Sequence, residues 1–235
     1  MALLDVRGLT VEREGLPIVR NIELGVEAGA ITVLLGVNGA GKTTLLEGIS
    51  GAIAIAAGQV LLGGVRLDRR APFVRARAGL AHVEQGRTVL AELSTRENLL
   101  VAAGGRPVDE AYELFPELHR RASVAAGLLS GGEQQMLVLA RAMLRHPKVL
   151  MVDELSLGLA PRVLHRLMAA VANLGRSGMA ILLVEQFAQL ALAIGSNAYV
   201  LRGGEIVYSG GCAELRDNPD LLQNLYLGDL AGARR

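Results

Sequence analysis

The chain has 235 residues, 51% hydrophobic but only 3% aromatic, so its apolar content is mostly Ala, Leu and Val, which suits layered α/β packing. With 24 basic against 23 acidic residues the net charge is +1, giving no electrostatic reason to expect a nucleic-acid partner. A single cysteine, Cys212, excludes an internal disulfide or a cysteine metal cluster and reads as a small buried residue.

The opening Met-Ala-Leu-Leu-Asp-Val-Arg lacks the basic-then-apolar plan of a secretory signal. Residues 2–28 alternate apolar and polar positions, as at Ile22, Leu24 and Val26, which predicts half-buried antiparallel strands. Ala30–Leu35 reads as a buried strand and Lys42–Ser50 as a helix. Between and into them runs Gly36-Val37-Asn38-Gly39-Ala40-Gly41-Lys42-Thr43-Thr44, which fits the phosphate-loop pattern G-x-x-x-x-G-K-S/T. A triphosphate needs inward-turned amides that side chains would block, and Gly36, Gly39 and Gly41 supply that backbone. Lys42 brings charge to the outer phosphates, the Thr43 hydroxyl can ligate Mg²⁺, and the helix N-terminus would face the anion.

Gly48–Val65 is uncharged and mimics a membrane span, but five glycines, Ser50 and Gln59 interrupt it, and Gly63-Gly64 marks a hairpin within Val60–Leu67. The chain is therefore expected to be soluble and cytoplasmic. Gly79–Val83 reads as a short buried strand. From Leu90 to about Arg145 the pattern is helical, clearest over Asp109–Arg121 and Gly132–Arg145. Two apolar strands follow, Lys148–Val152 and Ala180–Val184, separated by a helix from Pro161 to about Leu174. Asn197–Ser209 predicts a second hairpin turning at Gly203-Gly204, and a short helical tail ends in Gly-Ala-Arg-Arg. Strands alternating with helices on both sides of the phosphate loop imply a parallel sheet, with the helical block inserted into it.

Val149-Leu-Met-Val-Asp153-Glu154 ends a buried strand in two carboxylates at the edge where ligands sit in such sheets. Asp153 is placed to hold Mg²⁺ or its water, and Glu154 to orient or deprotonate a water attacking the γ-phosphate. The alternative is a strand end capped by solvated acids. Leu129-Ser130-Gly131-Gly132-Glu133-Gln-Gln135 bares backbone ahead of a helix beginning near Glu133, with Ser130 at the N-cap. Hydroxyl, free amides and helix dipole make a second anion site. A capping box accounts for Ser130 and Glu133 but leaves the two glycines unexplained.

Leu-Ser-Gly-Gly-Glu-Gln-Gln, together with the phosphate loop and Val-Asp-Glu, resembles the ATP-binding subunits of ABC transporters across essentially the whole chain. Tyr112-Glu-Leu-Phe-Pro116, Ser156-Leu-Gly-Leu-Ala-Pro161 and Leu183-Val-Glu-Gln186 resemble the ATPases of branched-chain amino-acid importers. Of the two ATPases such importers carry, the chain is similar to the one with Val-Glu-Gln rather than Val-Glu-His. Urea and short-amide importers have similar ATPases and stand as alternatives. The resemblance implies an α/β P-loop NTPase (RecA-like) core with an N-terminal antiparallel β subdomain and an inserted helical subdomain. Residues 1–88 and 147–235 would form the first two and 89–146 the third, in one ATPase domain.

It further implies that two such subunits, as a homo- or heterodimer, sandwich two ATPs with Mg²⁺. Ser130-Gly131-Gly132 of one would cover the γ-phosphate held by the other, and Gln85 would reach Mg²⁺ and the attacking water. The Gln85 loop would adjoin the helices that grip transmembrane permease subunits, which a solute-binding protein serves. The location would be peripheral, at the cytoplasmic face of the membrane. Four positions depart from the family pattern. Gln186 stands for a histidine, and can donate a hydrogen bond but carry no positive charge. No aromatic near residues 11–15 is placed to stack on adenine; Arg13 could cover the ring with its planar guanidinium or be a solvated arginine. Leu155 replaces a proline and Ala160 an aspartate. Two other function classes have sequence marks of their own. A soluble ABC mechanoenzyme of DNA repair or translation would carry long coiled coils or a second cassette, and a regulatory module without turnover would lack Glu154.

Overall fold

Two apolar-alternating stretches at the start form β1 (Leu4–Arg13) and β2 (Leu16–Val26), joined by a two-residue turn in which Glu14 and Gly15 both take positive φ, 51° and 78°. Both residues of a type I′ hairpin turn need that conformation. The computed structural model describes residues 2–156 and 158–228. The chain continues through β3 (Ile31–Leu35), α1 (Lys42–Ser50), β4 (Ile55–Leu62), β5 (Val65–Arg66), α2 (Pro72–Ala78) and β6 (Leu80–Val83). Helices α3 (Thr95–Ala103), α4 (Asp109–Leu114), α5 (Pro116–His119) and α6 (Gly131–Met143) follow. Then come β7 (Val149–Asp153), α7 (Pro161–Arg176), β8 (Ala180–Val184), α8 (Ala188–Ile194), β9 (Asn197–Arg202), β10 (Glu205–Gly211), α9 (Cys212–Asp217) and α10 (Pro219–Leu227).

The strands sort into two sheets. One is antiparallel, in the order β2-β1-β4-β5; the other has the order β10-β9-β3-β8-β7-β6 and is parallel except at β10. The parallel strands read as continuous apolar runs because both of their faces are covered. Val33, Leu35, Leu150, Val152 and Leu183 point into a core shared with α3, α6, α7 and α8. Leu34, Met151, Leu182 and Val184 point into a second core with α1 and the antiparallel sheet. Cys212 is buried in the first.

Three expectations are revised. Asp109–Arg121 is two helices, because Pro116 has no N–H to give and drives Phe115 to φ −134°, ψ 84°. The Asn197–Ser209 hairpin is present, but its first strand also joins β3 in parallel, buried through Ala198, Val200 and Leu201. Helix α6 starts at Gly131, so the two glycines are its first residues rather than a stretch ahead of it. The expected Gly-Ala-Arg-Arg end lies outside the described residues.

Helix α1 carries the phosphate loop, and its far end is held by Arg75, which is 3% exposed. Its guanidinium donates to the carbonyls of Gly48 (2.9 Å), Ile49 (2.7 Å), Asp68 (2.9 Å) and Arg70 (2.9 Å). The first two are orphan carbonyls of the last turn. Arg75→Lys leaves most of these acceptors without a donor, since one ammonium cannot span them. The expected loss is about 2–4 kcal/mol of unfolding free energy, measured by urea denaturation; a change under about 0.5 kcal/mol would remove Arg75 as the clamp of α1.

Candidate functional site

Strand order β3-β8-β7-β6 puts four sequence-distant loops on one sheet edge. The parallel strands all end there, so the loop after β3, Gln85 beyond β6, Asp153-Glu154 at the end of β7 and Glu185-Gln186 after β8 become neighbours. A cleft of about 410 Å³ is lined by Ile18, Asn38, Gly39, Gly41, Lys42, Thr43, Thr44, Gln85, Glu154 and Gln186. The sequence reading placed all of these in the site except Ile18, a strand residue with no chemical signal of its own.

The loop closes on itself. Lys42, 5% exposed, donates from its ammonium to the carbonyls of Gly36 (2.8 Å) and Val37 (3.1 Å), and lies 3.8 Å from Glu154 Oε1. Gly39 and Gly41 take φ 78° and 105°. Gly36 has a packing reason that the motif did not reveal: a Cβ there would stand 2.5 Å from the Leu201 carbonyl oxygen of β9.

Glu154 sits at φ 47°, the left-handed region that few non-glycine residues occupy. Its N–H donates to the Val184 carbonyl at 3.0 Å, and Gln85 Nε2 donates to its Oε2 at 2.8 Å. The cleft thus already joins Gln85 to Glu154. Asp153 is 1% exposed, and neither carboxylate oxygen has a hydrogen-bond partner among the described residues. Burial pushes its pKa up to about 6, opposed by the nearby Thr43 hydroxyl and reinforced by the Glu154 charge. A buried, unsatisfied carboxylate near a hydroxyl, with the Gln85 amide on the adjoining Glu154, suits a hard cation that takes oxygen ligands and keeps substrate phosphates and waters in its shell. Thr43, Gln85 and Asp153 fit Mg²⁺ in that sense.

The Ser130–Gly132 edge is elsewhere. Ser130 caps α6: its Oγ accepts from Glu133 N (3.4 Å) and donates to Glu133 Oε2 (2.8 Å), while its own N–H donates to the same oxygen (2.9 Å). Ser130 and Gly132 line a separate cleft of about 680 Å³ with Arg120, Arg121, Arg162 and Arg166. The glycines have local reasons as well: a Cβ on Gly132 would stand 2.4 Å from Val163 Cγ1, and one on Gly131 would meet the Arg87 guanidinium. Arg13 is neither free nor merely solvated. Its Nε donates to Thr44 Oγ1 at 3.1 Å and its other end pairs with Glu47, which fixes it on the side of α1. A group the sequence reading missed is Glu185, fully buried behind the cleft and bonded to Ser156.

Residues 19–156 match the family model described as ABC transporter. The chain is 39% identical over 217 residues, 88% of this chain and 92% of the relative, to the high-affinity branched-chain amino acid transport ATP-binding protein BraG of Pseudomonas aeruginosa. It is 36% identical over 211 residues, 86% and 89% of the two chains, to the probable branched-chain amino acid transport ATP-binding protein LivF of Archaeoglobus fulgidus. ATP-binding proteins of other transport systems match at lower identity. A solved structure titled as the ATP binding subunit of an ABC transporter superposes with a TM-score of 0.82 at 27% identity, covering 95% of this chain and 97% of its own.

An acid with a raised folded-state pKa stabilises the fold while it is protonated and withdraws that stability as pH rises through the folded value. Without nucleotide, stability should therefore fall between about pH 4 and 6 on account of Asp153. Asp153→Asn removes the charge; thermal unfolding should show the variant more stable at pH 7.5 by on the order of 2 kcal/mol, with the gap closing toward pH 4. An unchanged or lower melting temperature at pH 7.5 would contradict the burial cost assigned to the ionised carboxylate.

Proposed function

The chain belongs to the ABC transporter family, whose ATP-binding subunits are ATPases coupled to transport, and we propose that it binds and hydrolyses Mg²⁺–ATP in the 410 Å³ cleft to drive uptake of branched-chain amino acids through separate permease subunits. The observation that carries this reading is the meeting of Lys42, Glu154, Gln85 and Gln186 on one cleft, with the unpaired Asp153 carboxylate behind it. The names of the two branched-chain relatives support the choice of solute.

In this reading the loop amides from Gly36 to Thr44 and the Lys42 ammonium hold the outer phosphates. Thr43, Gln85 and Asp153 would hold Mg²⁺, which would neutralise phosphate charge and relieve the Asp153 carboxylate. Glu154 orients and deprotonates the attacking water. Gln85, bonded to Glu154 at 2.8 Å, keeps that carboxylate aimed into the cleft. Gln186 donates a neutral hydrogen bond to the γ-phosphate. Ser130-Gly131-Gly132, facing a cleft of their own, serve the nucleotide of a second ATPase subunit, in a homo- or heterodimer. No helix among the described residues is long and apolar enough to cross a membrane. We assign the transport path to the permeases, gripped by the helical block 89–146 at the cytoplasmic face, with a solute-binding protein delivering the amino acid.

Glu154→Gln should keep ATP binding, abolish turnover and accumulate a dimer in ATP, read by size exclusion with and without the companion ATPase. A variant that hydrolyses ATP at the wild-type rate would end the base assignment.

Gln186→His tests the remaining contact. Charge-assisted hydrogen bonds are roughly twice as strong as neutral ones, so a gain of about 1–2 kcal/mol, near tenfold in kcat, is expected. ATP affinity should hold, the mark of an interaction made mainly in the transition state. Equal or lower kcat in steady-state assays would show that the cleft is built around glutamine.

A further inference from the structure

Glu185 has no part in the chemistry above, yet it is 0% exposed and stands one residue before Gln186, where β8 ends. Its Oε2 accepts from Ser156 Oγ at 2.5 Å, while Oε1 is buried without a partner. Burial raises its pKa, opposed by the Ser156 hydroxyl and by the amides of Gln186 and Leu155. Ser156 is itself 4% exposed and lies two residues past Glu154. This buried side-chain hydrogen bond joins the segment that presents Glu154 to the segment that presents Gln186.

An apolar pair would fill this space at lower cost. Burying a carboxylate with an unsatisfied oxygen is destabilising, and well-packed hydrophobic replacements of such groups are often neutral or stabilising. Glu154 needs a restraint of this kind: its left-handed backbone persists only if the surroundings over-determine it. From the β8 side it is held first by the Glu154 N–H bond to the Val184 carbonyl and second by Glu185, which takes the Ser156 hydroxyl and faces the Leu155 amide. The first fixes where Glu154 begins; the second fixes the direction in which the chain leaves it.

We propose that Ser156 and Glu185 are positioning residues for hydrolysis, whose hydrogen bond holds Glu154 in its left-handed conformation and sets its distance from Gln186. The inference rests on the ATPase reading of the cleft. It places activity control in a residue pair that touches neither nucleotide nor metal, and it accounts for a polar contact that stability alone does not favour.

The test uses the full chain in whichever assembly gives wild-type ATP turnover. Ser156→Ala should lower kcat roughly tenfold, the scale of one lost orienting contact, with KM for ATP changed less than about twofold. The Ser156→Ala/Glu185→Met double variant replaces the polar pair by an apolar one. It should melt at or above the wild-type temperature and still show the tenfold loss in kcat, a split that a purely structural role would not produce. Wild-type kcat in the double variant would overturn the proposal, as would a loss that appears in KM. Absence of turnover in the wild type itself would instead bring down the ATPase reading, and this inference with it.

Discussion

Both faces of the parallel sheet are covered, so polar side chains find almost no place along β3, β7 and β8, Thr32 being the exception before the strands end. Polar groups collect where the strands stop, and parallel pairing makes all of them stop on one edge. Asp153, Glu154, Glu185 and Gln186 lie there, opposite the loop that follows β3. The site is thus a by-product of burial. A one-residue register slip that brought these groups together differently would also turn the apolar side chains of the slipped strand, Leu34, Met151 or Leu182, away from the core they share with α1.

How much of this was legible in the sequence depended on how local each cause is. The loop around Lys42 was readable because glycine spacing, lysine and hydroxyl act within nine consecutive residues. Asp153 and Glu154 were readable because an apolar run ended in two acids. The break at Pro116 obeys a local rule too, but the helical periodicity on either side of it masks the stop. Arg75 and Glu185 were not readable: in the sequence they are an arginine in a basic stretch and an acid after an apolar one. Their partners, the α1 carbonyls and the Ser156 hydroxyl, lie 26–27 and 29 positions away. Only the assembled core brings these groups together.

Glycine shows the same limit from another side. Gly36 and Gly132 stand out in the sequence as bare backbone for anions, and each also stands where a Cβ would collide with the Leu201 carbonyl or Val163. A motif can be kept for two reasons at once, ligand approach and close packing, and the sequence shows only that a small residue is there. For Arg13 the sequence left two readings, a cover for adenine and a solvated arginine; the structure adds its contacts with Thr44 and Glu47.

The left-handed backbone of Glu154 has an evolutionary side. Glycine occupies that region freely and asparagine more readily than glutamate, so the substitutions that best suit the backbone at this position are ones that remove the carboxylate. A laboratory screen for heat resistance alone would enrich such changes and return a well-behaved, folded and inert population. Glutamate persists at 154 only while something other than folding is being selected.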